Sequence, residues 1–529
     1  MCTVWVRSCN ENDYNSPMEQ LGSLATEVEA TLADLAERNA TERIWGSDHT
    51  LWQDDPDEVG NRLGWLQVAT EILADRDRLD VFAATATSDG LTHAVVMGMG
   101  GSSLFPEVLA RTFPPPSAGG LELRVLDTTD PAAVLRISHE CPMDTTLFVA
   151  SSKSGSTLET KSHLATFRER IGRPDQFVAV TDPGSDLAAL ATGAGFRALF
   201  ENRDDIGGRY SALSYFGMVP AALAGVDWPV MLDAAEAMAD TLGRPGGSST
   251  GDNPGLRLGA ILGAAVRAGR DKVTLVIDPD VDTFGLWLEQ LLAESTGKQG
   301  TGAVPVAGER LGPPEVYGDD RLFVAIGEHH GLAPLAAAGH PVVELPYRGP
   351  LDLGAQALLW EFATAICGAV LGINPFDQPN VAEAKEATAR VLAGESDTEV
   401  PVEPLAPLLE QVRPGDYLAI QAYVDPEAGV VDAIEDARTA LRDRLRVATT
   451  VGLGPRFLHS TGQLHKGGPP SGVFVQIVGD DPEDLPIPGA GYGFSTLKRA
   501  QAAGDLTTLR SHGLRAARVT LDDLLRETR

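Results

Sequence analysis

Two short apolar runs, His93 to Met97 and Thr146 to Ala150, each lead without a break into a loop rich in glycine or serine and then into a stretch with helical spacing. Valine-rich runs with almost no alternating polar residues must be buried on both faces, and a parallel sheet covered by helices is the arrangement that does this. Phe177 to Thr181, closed by the turn Asp182-Pro183-Gly184, repeats the pattern. A second series follows: strands Lys272 to Ile277, Leu322 to Ile326 and Pro341 to Leu345, with helices Gly285 to Glu294 and Leu353 to Leu371. Strands Tyr417 to Val424, Val473 to Val478 and Ala516 to Leu521, alternating with helices Val431 to Leu445 and Leu497 to Leu509, are expected to extend that second sheet.

At 529 residues the chain exceeds what one hydrophobic core supports, and its 43% apolar content is ample for two. Arg244 to Pro254 (RPGGSSTGDNP) lacks any periodic apolar pattern and reads as a linker. The expected organisation is α/β throughout: an N-terminal helical segment over 1-90, on the spacing of Leu21, Leu24, Val28, Leu32 and Leu35; a first parallel-sheet domain over 91-245; and a second over 255-529.

Charge narrows the function. Acidic residues number 74 against 42 basic ones, a net charge of -32, and this field repels nucleic acid and anionic membrane surfaces, so neither is an expected partner. No run of 18 consecutive apolar residues reads as a membrane span, and the first 17 residues hold no signal-type apolar region. The four cysteines (Cys2, Cys9, Cys141, Cys367) are scattered and form no CxxC pair, as in a reduced cytoplasmic protein. No HExxH or clustered His/Cys/Asp spacing argues for a metal, and no cofactor is expected. The same negative field repels a phosphorylated substrate, so a phosphate site must be built locally from backbone N–H groups and a few cations.

Two loops meet that requirement. Gly98-Met99-Gly100-Gly101-Ser102-Ser103 lies between a strand and a helix, where free N–H groups and the helix dipole face an anion. It fits the dinucleotide fingerprint less well, because the third glycine is misplaced, and a packing role for the glycines is the alternative. Ser151-Ser152-Lys153-Ser154-Gly155-Ser156-Thr157 brings hydroxyls, a lysine and N–H groups to one helix start, which suits a phosphate monoester; the alternative is a hydroxyl-rich cap without a ligand.

Gly98 to Ser102 and Ser152 to Thr160 (SKSGSTLET) resemble the two sugar-phosphate loops of the SIS (sugar isomerase) fold. With Gly207-Gly208-Arg209-Tyr210-Ser211, Glu294-Ser295-Thr296-Gly297-Lys298, and Asn374-Pro375-Phe376-Asp377-Gln378 followed by Lys385, the chain is similar to the glucose-6-phosphate isomerases, in that family's order, over about residues 90 to 390. The resemblance implies two SIS-type, flavodoxin-like sandwich domains, and reversible conversion of glucose 6-phosphate to fructose 6-phosphate through a cis-enediol. It also implies a homodimer with sites near its interface. By the same resemblance Ser152, Ser154 and Thr157, with Lys153 nearby, hold the phosphate, while Gly101, Ser102, Gly208 and Gln378 line the sugar. Glu294 is then the base, Arg209 stabilises the enediolate, and Lys385 assists ring opening.

The family's ring-opening histidine lies in a T-N-x-Q-H segment between the glutamate and the final lysine, and this chain departs there. Its histidines in that interval, His329, His330 and His340, have no such context, whereas Ser460-Thr461-Gly462-Gln463-Leu464-His465-Lys466-Gly467-Gly468 comes later. The reading is that this part is rearranged and that His465 fills the role, a placement similar to that expected of isomerases fused to a transaldolase. No transaldolase-length segment precedes residue 90. A dual glucose/mannose phosphate isomerase remains open, because specificity at C2 turns on small differences in pocket shape. A non-catalytic sugar-phosphate sensor is opposed by the presence of Glu294, Arg209 and Lys385 together.

Overall fold

The structure is a computed structural model that describes residues 18–115, 119–247, 253–395, 400–427 and 429–528. The expected linker therefore falls partly outside the described residues, as do Cys2 and Cys9. The N-terminal region is helical from Ala25–Glu37 to Arg76–Ser88, but it opens with a short strand, β1 (Met18–Gln20), that periodicity does not reveal.

The first sheet is wholly parallel, with β2 (His93–Met97), β3 (Glu122–Leu126), β4 (Thr146–Ser151), β5 (Phe177–Thr181) and β6 (Ala198–Glu201) in the order β3-β2-β4-β5-β6. The chain leaves β2 to one side and returns to β4 on the other. Met97 is in register with Ala150, so the glycine loop and the serine loop emerge side by side at the switch point, where open sheets of this kind bind ligands.

The second sheet contains β7 (Lys272–Ile277), β8 (Val304–Val306), β9 (Arg321–Ile326) and β10 (Val342–Leu345), in the order β1-β10-β9-β7-β8, with β1 antiparallel to β10. Helix Leu353–Leu371 runs through the core shared by these two sheets. By length and composition it could span a membrane, which a count of consecutive apolar residues misses because Gln356 and Glu361 interrupt it; its apolar stretch is entirely buried within the protein.

The C-terminal strands correct one expectation. β11 (Tyr417–Tyr423), β12 (Ala448–Leu453), β13 (Gly472–Val478) and β14 (Arg515–Arg518) form a separate four-stranded parallel sheet, in the order β12-β11-β13-β14, instead of lengthening the second. Both edges of the second sheet resist extension. One is covered by β1, and the other is β8, whose central Pro305 has no N–H to offer a further strand. The third sheet packs on that edge instead, burying Val304 and Val306 against Tyr417, Ala419 and Phe474. A buried ion group, Glu309 with Arg321 at 3.0 Å and Arg442 at 3.7 Å, pins the two together.

Candidate active site

The two loops at the switch point are fitted to one another by hydrogen bonds. Ser151 Oγ donates to the Ser102 carbonyl (2.9 Å), and Ser152 and Thr157 share a hydroxyl hydrogen bond of 3.0 Å. Thr157 stands at the N-cap of helix Leu158–Ile171 but its side chain makes no cap hydrogen bond, which leaves the first helical N–H groups to an incoming anion. Ser154 bonds to Ser156 (2.8 Å), while Lys153 is held by the Asp182 carboxylate and the Asp204 carbonyl. Gly101 meets Gly208 backbone to backbone: a Cβ there would lie 1.9 Å from the Gly208 carbonyl oxygen. No other residue permits that approach.

Helix Phe284–Thr296 delivers Glu294 to the same place. Glu294 is 6% exposed, and its carboxylate lies 3.5 Å from the Arg209 guanidinium and accepts from Gln290 Nε2 at 3.0 Å. Arg209, 3% exposed, is fixed on three further sides by Ser295 Oγ (2.8 Å) and the carbonyls of Pro375 (2.7 Å) and Asp377 (2.9 Å). Lys298, one turn beyond Glu294, donates to the Asn374 and Asp377 carbonyls and to the Asp377 carboxylate (2.6 Å). Arg209, Lys298 and Glu294 therefore share a nearly dry enclosure, with the Asp377 carboxylate at its edge, and charge interactions there are strong. Burial, reinforced by the positive charge of Arg209, lowers the Lys298 pKa to about 8, against the opposing pull of Asp377 and Glu294. Asp377→Asn removes an interaction that raises this pKa. A basic limb set by Lys298 is expected in the kcat–pH profile, and in that variant it is expected to move to lower pH, as initial rates across pH 6 to 10 would show.

The remaining sequence candidates lie outside this buried cluster. His465 is buried among Tyr417, Phe457 and Phe474, with Nδ1 against Gln421 Nε2 at 3.3 Å. Burial first, and then Lys466, lower its pKa to about 3, so the imidazole is neutral at neutral pH. Lys385 is exposed on helix Val381–Leu392, and among the described residues no hydrogen bond or ion pair fixes it; Gln378 is exposed as well. The histidine that the structure brings to the loops is His459. Its carbonyl accepts from Gln290 Nε2 (2.8 Å), a Cβ on Gly100 would lie 2.6 Å from that carbonyl oxygen, and its Nε2 is 2.9 Å from Glu159 Oε1. Burial works to raise the Glu159 pKa, but the charge and hydrogen bond of His459 prevail and lower it to about 2. His459 and His465 lie in one segment, and nothing in its order says which of the two turns toward the first sheet. Ser295, Lys298, Gln290 and Glu159 also go unassigned by sequence reasoning, because each works through a partner distant along the chain. Among the described residues no group of three or more His, Cys, Asp or Glu is placed to hold a metal ion.

A hydroxyl-lined helix start beside a buried carboxylate and guanidinium fits the class of proteins that bind a phosphorylated ligand and move a proton on it. Comparison with known sequences narrows this class. The family model for phosphoglucose isomerase matches residues 66–312, taking in both loops, Arg209, Glu294 and Lys298. Glucose-6-phosphate isomerase of Acaryochloris marina is 34% identical over 387 residues, 62% of this chain and 72% of that one. The Rubrobacter xylanophilus glucose-6-phosphate isomerase is 26% identical over 428 residues, 68% of this chain and 95% of its own. In fold the chain is similar to a crystal structure of a glucose-6-phosphate isomerase from Chlamydia trachomatis, with a TM-score of 0.58 at 20% identity, covering 70% of this chain and 86% of the other. The chain belongs to the glucose-6-phosphate isomerase family.

Proposed function

We propose that the enzyme interconverts glucose 6-phosphate and fructose 6-phosphate through a cis-enediol, with Glu294 carrying the proton between C2 and C1. The observation that supports this most directly is the Glu294–Arg209 pair, 3.5 Å apart and nearly closed to water beside the two loops. A carboxylate in such a place can take a proton from carbon and return it to the neighbouring carbon, provided the charge that develops on oxygen is met. Arg209 and Lys298 meet it without reorganising, because carbonyls and Asp377 already hold them in position. Ser152, Ser154 and Thr157, with the uncapped start of helix Leu158–Ile171, take the phosphate; Gly101, Ser102 and Gly208 lie along the sugar. Gln378 and Lys385 extend the site from the segment whose carbonyls hold Arg209.

Ring opening needs a group that exchanges a proton with the ring oxygen, and we assign it to His459, backed by Glu159, in place of His465. A coupled assay on two variants checks this. His459→Gln is expected to lower kcat about 100-fold, and His465→Phe, which suits its aromatic surroundings, to keep kcat within about threefold. The reverse result returns the role to His465. The substrate is a small anionic sugar phosphate, and we retain a homodimeric, cytoplasmic enzyme as the assembly and setting that the resemblance implies.

A further inference from the structure

We infer that Gln501, on the C-terminal helix Phe494–Ser511, is the positioning residue that holds Glu159 and through it fixes His459. The inference rests on the reading of His459 given above. Gln501 is 3% exposed and Glu159 is 4% exposed. Gln501 Nε2 donates to Glu159 Oε1 at 2.6 Å, and that same oxygen receives His459 Nε2 at 2.9 Å. At the other end of the amide, Gln501 Oε1 accepts from Thr129 Oγ1 at 2.7 Å. The amide cannot turn over, because that would set its oxygen against a carboxylate.

Glu159 lies in the first turn of the helix that begins at the phosphate loop, Thr129 follows β3, and His459 and Gln501 belong to the C-terminal part of the chain. The Glu159 carboxylate and the Gln501 amide bonded to it therefore join three regions. With His459 as its only side-chain donor, Glu159 would be free to rotate and carry the imidazole with it. With Gln501 as second donor, the carboxylate has one orientation and the ring inherits it.

The surroundings hold few other groups that could do this. His163, on the same helix as Glu159, spends Nε2 on the Thr128 carbonyl (2.9 Å). Arg456, three residues before His459, is committed to Asp127 through two contacts of 2.8 Å. Tyr423 faces Glu159 from β11 without donating to it, and Glu294 is reached only through Gln290. Among the described residues, Gln501 is the side chain that donates to Glu159 besides the histidine itself.

The test is a double-mutant cycle on the full chain, read by kcat and KM for glucose 6-phosphate. Gln501→Leu in the otherwise unchanged enzyme is expected to lower kcat about 10-fold with KM altered less than about twofold, and to have no further effect once His459 is Gln. Thr129→Val, which frees the amide but keeps its shape, is expected to lower kcat in the same direction by a smaller factor, and it serves if Gln501→Leu does not fold. An equal loss in both backgrounds, or a change in KM with kcat intact, makes Gln501 a packing residue and overturns the inference. A His459→Gln enzyme with wild-type kcat removes the underlying reading instead, and is recognisable because it does so before Gln501 is touched.

Discussion

Glu294→Gln is expected to lower kcat by at least about 1000-fold, with or without EDTA. The amide has the carboxylate's shape and can keep its oxygen toward Gln290, and Arg209 retains Ser295 and two carbonyls. What disappears is the only atom pair at that position able to hold a proton between two carbons. Following fructose 6-phosphate through a coupled dehydrogenase checks it. A variant that keeps a tenth or more of the activity would place the base elsewhere, and Lys298, lowered to a pKa of about 8, would be the first group to examine.

Arg209→Met is expected to be costly in two independent measurements. Removing one partner of a buried ion pair leaves Glu294 without its countercharge, together with three acceptors facing an apolar side chain, a loss of about 3–5 kcal/mol in denaturant unfolding. In the fraction that folds, kcat should fall by about 100- to 1000-fold, the scale for deleting a donor aimed at developing negative charge. Arg209→Lys should recover little of either, since a single ammonium cannot point toward Ser295, Pro375 and Asp377 at once. A normal unfolding midpoint with the activity gone would separate the electrostatic role from the structural one. Full activity would remove Arg209 from the chemistry.

Much of this architecture is legible in the residues. The Val-rich strands β2, β4 and β5 announce themselves because burial on both faces leaves no polar interruptions, and the loops after them carry their chemistry in consecutive positions. Short elements at sheet edges are hidden. β1 has three residues, β8 reads Val-Pro-Val, and β6 has four, so none contains enough periods to be distinguished from a loop. The independence of the third sheet is hidden for another reason: its strands look like those of the second, and the obstacle to joining them is one proline on the far side of the contact. At the site, Glu294 and Arg209 stand in local motifs and can be read in place. His459 cannot, because its meaning comes from Glu159, which lies on another helix far along the chain.

The pairing of β1 with β10 has a consequence in time. Met18–Gln20 leave the ribosome early, but the strand that receives them, Val342–Leu345, is made only after both sheets are largely synthesised. Until then the edge of the second sheet does not exist, and closing so long a loop is entropically slow. The first described residues of the chain must therefore wait, unpaired, through most of translation, and their docking marks the moment at which the second sheet is finished.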